Sequence, residues 1–268
     1  MPLLEGIEDA LDPARVAAFV CKPTDDPVHE SRHIEALLSK RVDGIIVTSR
    51  RTDPRIPLDL RGSTIPVVYA YARTTSVEAS CVLPDDEGGG FLAGQHLAAL
   101  GRARIAHITG PERFAAVQDR RRGLCRALQA CGRTLDPNLD LSGPWSEAWG
   151  REAVGRVLAS GTPFDAVFCG SDQIARGVAD ALRESGVAVP RDVALVGYDN
   201  WDIIAAATRP QLTTIDPCLE DLGRTAALRL LGMIESAEQA AGTVHIPCRL
   251  IVRDSCGQDH HQAAEKAA

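Results

Sequence analysis

The stretch that most constrains this chain runs from Asp165 to Asp216, DAVFCGSDQIARGVADALRESGVAVPRDVALVGYDNWDIIAAATRPQLTTID. An apolar run, Ala166-Val167-Phe168-Cys169, is broken by Gly170-Ser171-Asp172, which offers a helix cap. Ile174, Val178, Ala181 and Leu182 then recur at helical spacing, Gly186 ends the pattern, and Pro190 guards the exit. A second apolar run, Val193 to Val196, stops at Gly197-Tyr198-Asp199. Strand, helix and strand in that order predict a βαβ unit with parallel strands and a right-handed crossover. One predicted strand ends in Ser171 and Asp172, the other in Asp199 and Asn200. Open α/β sheets bind ligands at the carboxyl ends of their strands. The stretch therefore proposes a small-molecule site by itself.

The rest of the chain repeats the alternation. Leu3, Leu4, Ile7 and Leu11 have helical spacing, and Arg15 to Cys21 reads as a strand. An amphipathic helix over 28–40 precedes a strand over 42–47 that ends at Thr48-Ser49. Strands over 65–70 and 80–83, a helix over 87–100 and a strand over 104–109 follow. Gly110-Pro111 reads as a crossing between two lobes. Beyond it come helices over 114–131 and 147–160, a short strand over 139–141, and the stretch already described. Asp216 reads as the N-cap of a helix over 217–235, with Pro217 at its first position. Residues 244–252 read as a closing strand pair broken at Pro247. Regular alternation predicts parallel sheets with helices on both faces. The expected first lobe is 1–110 with 215–238, the second is 111–214 with 239–258, and 259–268 is a disordered tail.

Charge and composition exclude several functions. The formal net charge is -7, and phosphate contacts need clustered Lys and Arg, so the 268 residues are a poor DNA binder by themselves. Eight cysteines form no CxxC pair and no zinc spacing, and read as the reduced thiols of a cytoplasmic protein. No run approaches the ~20 apolar residues of a membrane span, and Met1 to Glu5 does not open a signal peptide. Gly88-x-Gly90-x-x-Ala93 imitates a dinucleotide fingerprint, but Asp85, Asp86 and Glu87 sit where a pyrophosphate would need bare N–H groups. Those acids suit the helix dipole instead. Nucleophile elbow, P-loop and HExxH motifs are absent, so no catalytic residue, cofactor or metal is expected.

The order of pieces carries a resemblance. Strand, Ser-Asp, helix, V-P-x-D-V-A-L-V-G-Y-D from Val189 and P-Q-L-T-T-I from Pro210 resemble the effector-binding domain of the lactose-repressor/galactose-repressor (LacI/GalR) family of bacterial transcription regulators. Further matches are R-V-D-G-I-I-V from Arg41, D-x-E-G-G from Asp85, R-I-A-x-I-x-G-P from Arg104, Arg120-x-x-Gly123, Trp145-Ser146, and L-I-V-R-D-S from Leu250. The resemblance implies two Rossmann-like lobes with parallel sheets joined by crossover segments, like a type I periplasmic binding protein. It implies an effector, a sugar or related small metabolite, bound between the lobes. It also implies coupling to operator DNA through a helix-turn-helix head, a side-by-side homodimer, and no membrane. That head, its hinge helix and the first strand of the first lobe are expected outside these residues, leaving sheet edges unpaired and stability low. The alternative is the solute-binding protein of a sugar transporter, which resembles the same fold but would need a signal peptide.

The candidate effector contacts follow from the same motifs. Arg120 offers planar, permanently charged donors, and Asp199 offers acceptors for vicinal hydroxyls. Arg120 and Asp199 are each expected to need the ligand or one another. Trp145, after Gly143-Pro144, offers a flat face for stacking, whereas Trp149, at helical spacing from it, reads as core. Ser171 stands where the family usually has Asn, which puts its polyol contact in doubt. Phe114 and Trp201 are expected to line the site, with Thr48 and Ser49 closing from the first lobe.

Overall fold

Apolar runs alternating with amphipathic helices give α/β structure throughout the described chain. The computed structural model describes residues 2–21, 26–236 and 240–257. In chain order its elements are α1 (Pro2–Leu11), α2 (Pro27–Ser39), β1 (Ile45–Thr48), β2 (Pro54–Arg55), β3 (Val67–Ala70), β4 (Arg73–Thr74), β5 (Ser80–Pro84), α3 (Asp86–Ala99), β6 (Ile105–Thr109), α4 (Ala115–Ala130), β7 (Asp140–Ser142), α5 (Glu147–Ser160), β8 (Ala166–Cys169), α6 (Asp172–Glu184), β9 (Ala194–Tyr198), α7 (Asp202–Ala205), β10 (Thr213–Asp216), α8 (Leu219–Ser236), β11 (Gly242–Ile246) and β12 (Arg249–Ile251). They divide into two units, Met1–Pro84 with Cys218–Ile246, and Asp85–Pro217 with Pro247–Ala268. The first division falls before Asp85, not after Gly110. The reason is that α3 packs on α4, and β6 pairs with β8, both in the second unit. The second falls after Pro217, close to the expected 215. The closing strands also separate, β11 into the first unit and β12 into the second. The expected tail over 259–268 lies outside the described residues.

In the first unit, four parallel strands take the order β1-β3-β5-β11. One face buries Val68, Ala70 and Val82 against Leu222, Ala226, Leu230 and Met233 of α8. The other packs Ile45, Val47 and Tyr69 against Leu37 of α2. Each such buried Val, Leu, Ile or Met stabilises the unit by about 1.5–3 kcal/mol relative to exposure. α1 lays Ile7, Ala10 and Leu11 against Ala227 of α8. Arg15 to Cys21 is not the expected strand. No described strand pairs with it, and without a ladder its apolar run leaves Val16, Phe19 and Val20 exposed.

The second unit is a six-stranded sheet, β12-β10-β9-β8-β6-β7, parallel except for β12. The predicted βαβ unit is present: β8 and β9 are parallel neighbours, and α6 joins them. Every residue of β6, β8 and β9 is buried, as expected of strands covered on both faces. α5 and α6 cover one face through Val154, Val157, Ile174, Val178 and Leu182. α3 and α4 cover the other through Leu97, Leu124 and Leu128. The α3–α4 contact is backbone on backbone. A Cβ on Gly90 would collide with the Arg120 carbonyl, and one on Gly123 with that of Glu87. Asp216 is not a helix cap. It ends β10 and accepts from Asn200 Nδ2 at 3.0 Å, while α8 begins at Leu219 after Cys218 turns the chain at φ 51°.

Candidate functional site

Helical spacing from Val117 puts Arg120 on the buried face of α4, with Leu124 and Leu128. The residue is 3% exposed, and its guanidinium could not stay charged there without partners. Nε donates to Asp86 Oδ1 at 2.8 Å, and Nη1 donates to the Gly170 carbonyl at 2.6 Å. Cζ lies 3.5 Å from the centroid of the Tyr198 ring, a cation–π stack, and the Tyr198 hydroxyl also donates to Asp86 at 2.8 Å. Asp199 is more distant, its Oδ1 4.0 Å from Nη1. The first charge partner of Arg120 is therefore Asp86 and not Asp199 as expected, whereas Arg120 remains the cation beside Asp199. Beside it, Arg121 Nε donates to Asp140 Oδ2 at 2.5 Å, and Asp140 Oδ1 lies 2.8 Å from the Nδ1 of buried His107. This ties the flank of α4 to β6 and β7.

Asp199 follows β9 on a backbone with φ 106°, and Asn200 follows at φ 48°. Positive φ is unfavourable for a residue with a Cβ, and such strain concentrates at functional sites. Desolvation, opposed by Arg120 and reinforced by Asp172 and Asp86, pushes the Asp199 carboxyl up to about 7. Its side chain is still 38% exposed, so water moderates that push. Asp172 opens α6 with no exposed surface, and burial raises it to about 6. It accepts the Thr214 hydroxyl at 2.5 Å and the Trp201 N–H at 2.7 Å. Ser171 is the N-cap of α6, its Oγ accepting from Ile174 N at 3.3 Å, and is buried. That hydroxyl serves the helix first, which leaves its hydrogen and one lone pair for another group.

Trp145 is partly buried, with its ring over Gly110, where a Cβ would collide with it. Trp149 is core, as expected, and its Nε1 donates to the Thr109 carbonyl at 3.0 Å. Phe114 is the half-buried N-cap residue of α4, with Arg113 over its ring at 4.6 Å. Trp201 is 56% exposed, immediately after Asn200. Arg120, Asp199 and Ser171 are brought together at the carboxyl ends of β8 and β9, with Trp145 at the end of β6. Thr48 and Ser49 belong to the first unit: Thr48 ends β1, and Ser49 Oγ accepts from Arg51 N at 3.3 Å. Among the described residues, no group of three His, Cys, Asp or Glu is placed to hold a metal, and no helix is long and apolar enough to cross a membrane. The described cysteines form no disulfide.

Sequence reasoning missed Asp86, Tyr198 and Thr109. Asp86 reads in sequence as a helix-dipole acid, but Asp85 caps α3 by accepting from Gly88 N, leaving Asp86 free to turn inward. Tyr198 is hidden inside an apolar strand pattern. The Thr109 hydroxyl is buried at the end of β6 with no hydrogen-bond partner among the described residues.

Residues 95–256 match the periplasmic binding protein-like domain family. The chain is 30% identical over 226 residues to the HTH-type transcriptional repressor CytR of Escherichia coli (strain K12), covering 84% of this chain and 66% of the repressor. It thus spans just under two thirds of that relative's length. The transcriptional regulator CelR, solved in complex with cellobiose, superposes with a TM-score of 0.79 at 30% identity over 95% of this chain and 78% of that one. A LacI family transcriptional regulator from Enterococcus faecium with bound ribose superposes with a TM-score of 0.76 at 28% identity, covering 95% and 92%. The chain belongs to the periplasmic-binding-protein-like family, in the form that serves as the effector domain of LacI-family transcriptional regulators.

Proposed function

We propose that the carboxyl ends of β6, β8 and β9 form the contact surface for a small polyol effector, a sugar or related metabolite. The observation that carries this reading is the placement of Arg120, stacked on Tyr198, beside Asp199 on its positive-φ turn. A polyol ring presents hydroxyls at its edge and C–H groups on its faces. Asp199 supplies acceptors, Arg120 supplies charged donors, and Trp145 or Trp201 supplies an aromatic face. Cellobiose and ribose complexes of similar regulators support the ligand class. By the same reading the intact regulator works in the cytoplasm as a homodimer and passes effector occupancy to operator DNA through a helix-turn-helix head, as the HTH-type relatives suggest. The relatives are repressors, which favours a regulator over a transporter component or an enzyme.

A thermal-shift screen of neutral sugars and nucleosides identifies a binder. Titration calorimetry then compares the wild type with Arg120→Ala, Asp199→Ala and Trp145→Ala. Loss of a charged hydrogen bond should weaken binding by roughly ten- to hundredfold. Equal affinity in all three folded variants rejects the site.

A further inference from the structure

Two helices begin beside the Arg120 cluster, and each has placed its own carboxylate at its amino end. Asp86 is the first residue of α3, and Asp172 is the first residue of α6. Helix amino ends are ready-made anion sites, because their N–H groups and dipole favour negative charge. Here those positions hold acids from the chain itself, and both acids are at least 97% buried, with relative exposures of 3% and 0%. Asp86 accepts from Arg120 Nε and from the Tyr198 hydroxyl, both at 2.8 Å. Asp172 accepts from Thr214 and from the Trp201 N–H. Among the described residues the other cation in this network is Arg253, whose Nη1 donates to the Leu212 carbonyl and whose Nη2 donates to Asn200 Oδ1 and lies 3.7 Å from Asp202 Oδ1. Arg120 and Arg253 therefore face Asp86, Asp172, Asp199 and Asp202, and the balance is acidic.

We infer that Asp86 is a specificity-determining residue: by neutralising the buried Arg120 guanidinium, it makes the site select an uncharged hydroxylated ligand over a phosphorylated or carboxylated counterpart. This rests on the reading that the strand ends bind the effector. An anion reaching Arg120 would have to displace Asp86 from Nε or lie against Asp199, and either leaves a carboxylate desolvated without its cation. A hydroxyl can instead donate to Asp199 and accept from the guanidinium without adding charge. Replacing Asp86 with an amide of the same shape keeps the packing and releases the cation.

Inorganic phosphate is the probe, titrated by calorimetry at constant ionic strength into the wild type, Asp86→Asn, Asp86→Ser and Asp86→Asn/Arg120→Leu. The wild type should show no saturable binding in the millimolar range. Asp86→Asn should gain about tenfold or more in phosphate affinity, and the double variant should lose that gain. Asp86→Ser, which is tolerated at a helix start, carries the test if the amide variant does not fold. Saturable phosphate binding by the wild type overturns the inference, as does a folded Asp86 variant with no gain. Should neither variant fold, the wild-type titration decides alone. If phosphate behaves as stated and no neutral sugar or nucleoside binds, the effector reading falls while the charge selection stands. If sugars bind and phosphate binds the wild type equally well, the reverse holds.

Discussion

Asp172 accepts the Thr214 hydroxyl at 2.5 Å from a position with no exposed surface, and its hydrogen bonds with the charge of Arg253 do not make up for the water it has lost. Burial raises its pKa from 3.8 to about 6. A carboxyl that is raised in the folded state holds its proton there after the unfolded chain has released it. Its stability contribution is thus full below about pH 4 and falls as pH rises to about 6, by roughly 2–3 kcal/mol. Asp172→Asn removes the titration, so this variant should gain stability relative to the wild type between about pH 4.5 and about pH 7.5. Urea unfolding at the two values measures the gap, and parallel profiles would contradict the assignment.

Asp140 has the opposite sign. Burial pushes it up, but hydrogen bonds and charge from His107 and Arg121 outweigh that and hold it below 3.8. Its contribution is present above the unfolded pKa and is lost as pH falls through the folded one. Asp140→Asn should therefore destabilise the protein at neutral pH, and the deficit should close as the solution is acidified below about pH 4. A deficit that is constant across the acid range would contradict this.

At Asp199 the carboxylate and the backbone make separate demands. The φ of 106° costs a residue with a Cβ about 1–3 kcal/mol, and glycine escapes that cost. Asp199→Gly and Asp199→Ala both lose the carboxylate, so their difference isolates the backbone. The glycine variant should be more stable than the alanine variant by about 1 kcal/mol or more, read from denaturant midpoints at equal slope. Equal midpoints would mean the turn carries no strain.

The second unit was more legible in the sequence than the first, for a physical reason. β6, β8 and β9 are buried on both faces, so each reads as an unbroken apolar run with polar residues at its end. The position of Asp199 follows from one of those ends, and that of Arg120 from helical spacing on α4. Asp86 was not legible, because three consecutive acids at a helix start have the same pattern whichever of them turns inward. Only the approach of α3 to α4, through Gly90 and Gly123, decides that Asp86 meets Arg120. Arg15 to Cys21 failed for a related reason. Its pattern is that of a strand, but a strand needs a neighbour, and sequence pattern does not supply one.

The α3–α4 approach also makes a stability prediction. A methyl group at position 123 meets the Glu87 carbonyl, which is helix backbone and cannot swing aside. Gly123→Ala should destabilise by about 1–3 kcal/mol although alanine favours helix. Because α4 carries Arg120, a variant that stays folded should also bind effector more weakly. Gly155→Ala on α5, where nothing lies within reach of the added methyl, is the control and should be neutral or stabilising. Equal effects at the two positions would remove the packing argument.

The remaining prediction concerns the first unit. β1 pairs with β3 on one side, and no described strand pairs with its other edge. Ahead of α2, Phe19 and Val20 are 61% and 68% exposed, in an apolar run with no regular structure. An open strand edge and an exposed apolar run are each templates for pairing with another chain. These 268 residues should therefore self-associate at micromolar concentration, to an extent that rises with concentration. Phe19→Lys with Val20→Glu removes the apolar run without touching a buried contact. The double variant should move sedimentation toward the monomer and leave far-UV circular dichroism unchanged. If wild type and variant sediment alike, association, where present, runs through another surface. If the wild type is a monodisperse monomer over that range, neither the edge of β1 nor the 15–21 run is a pairing site.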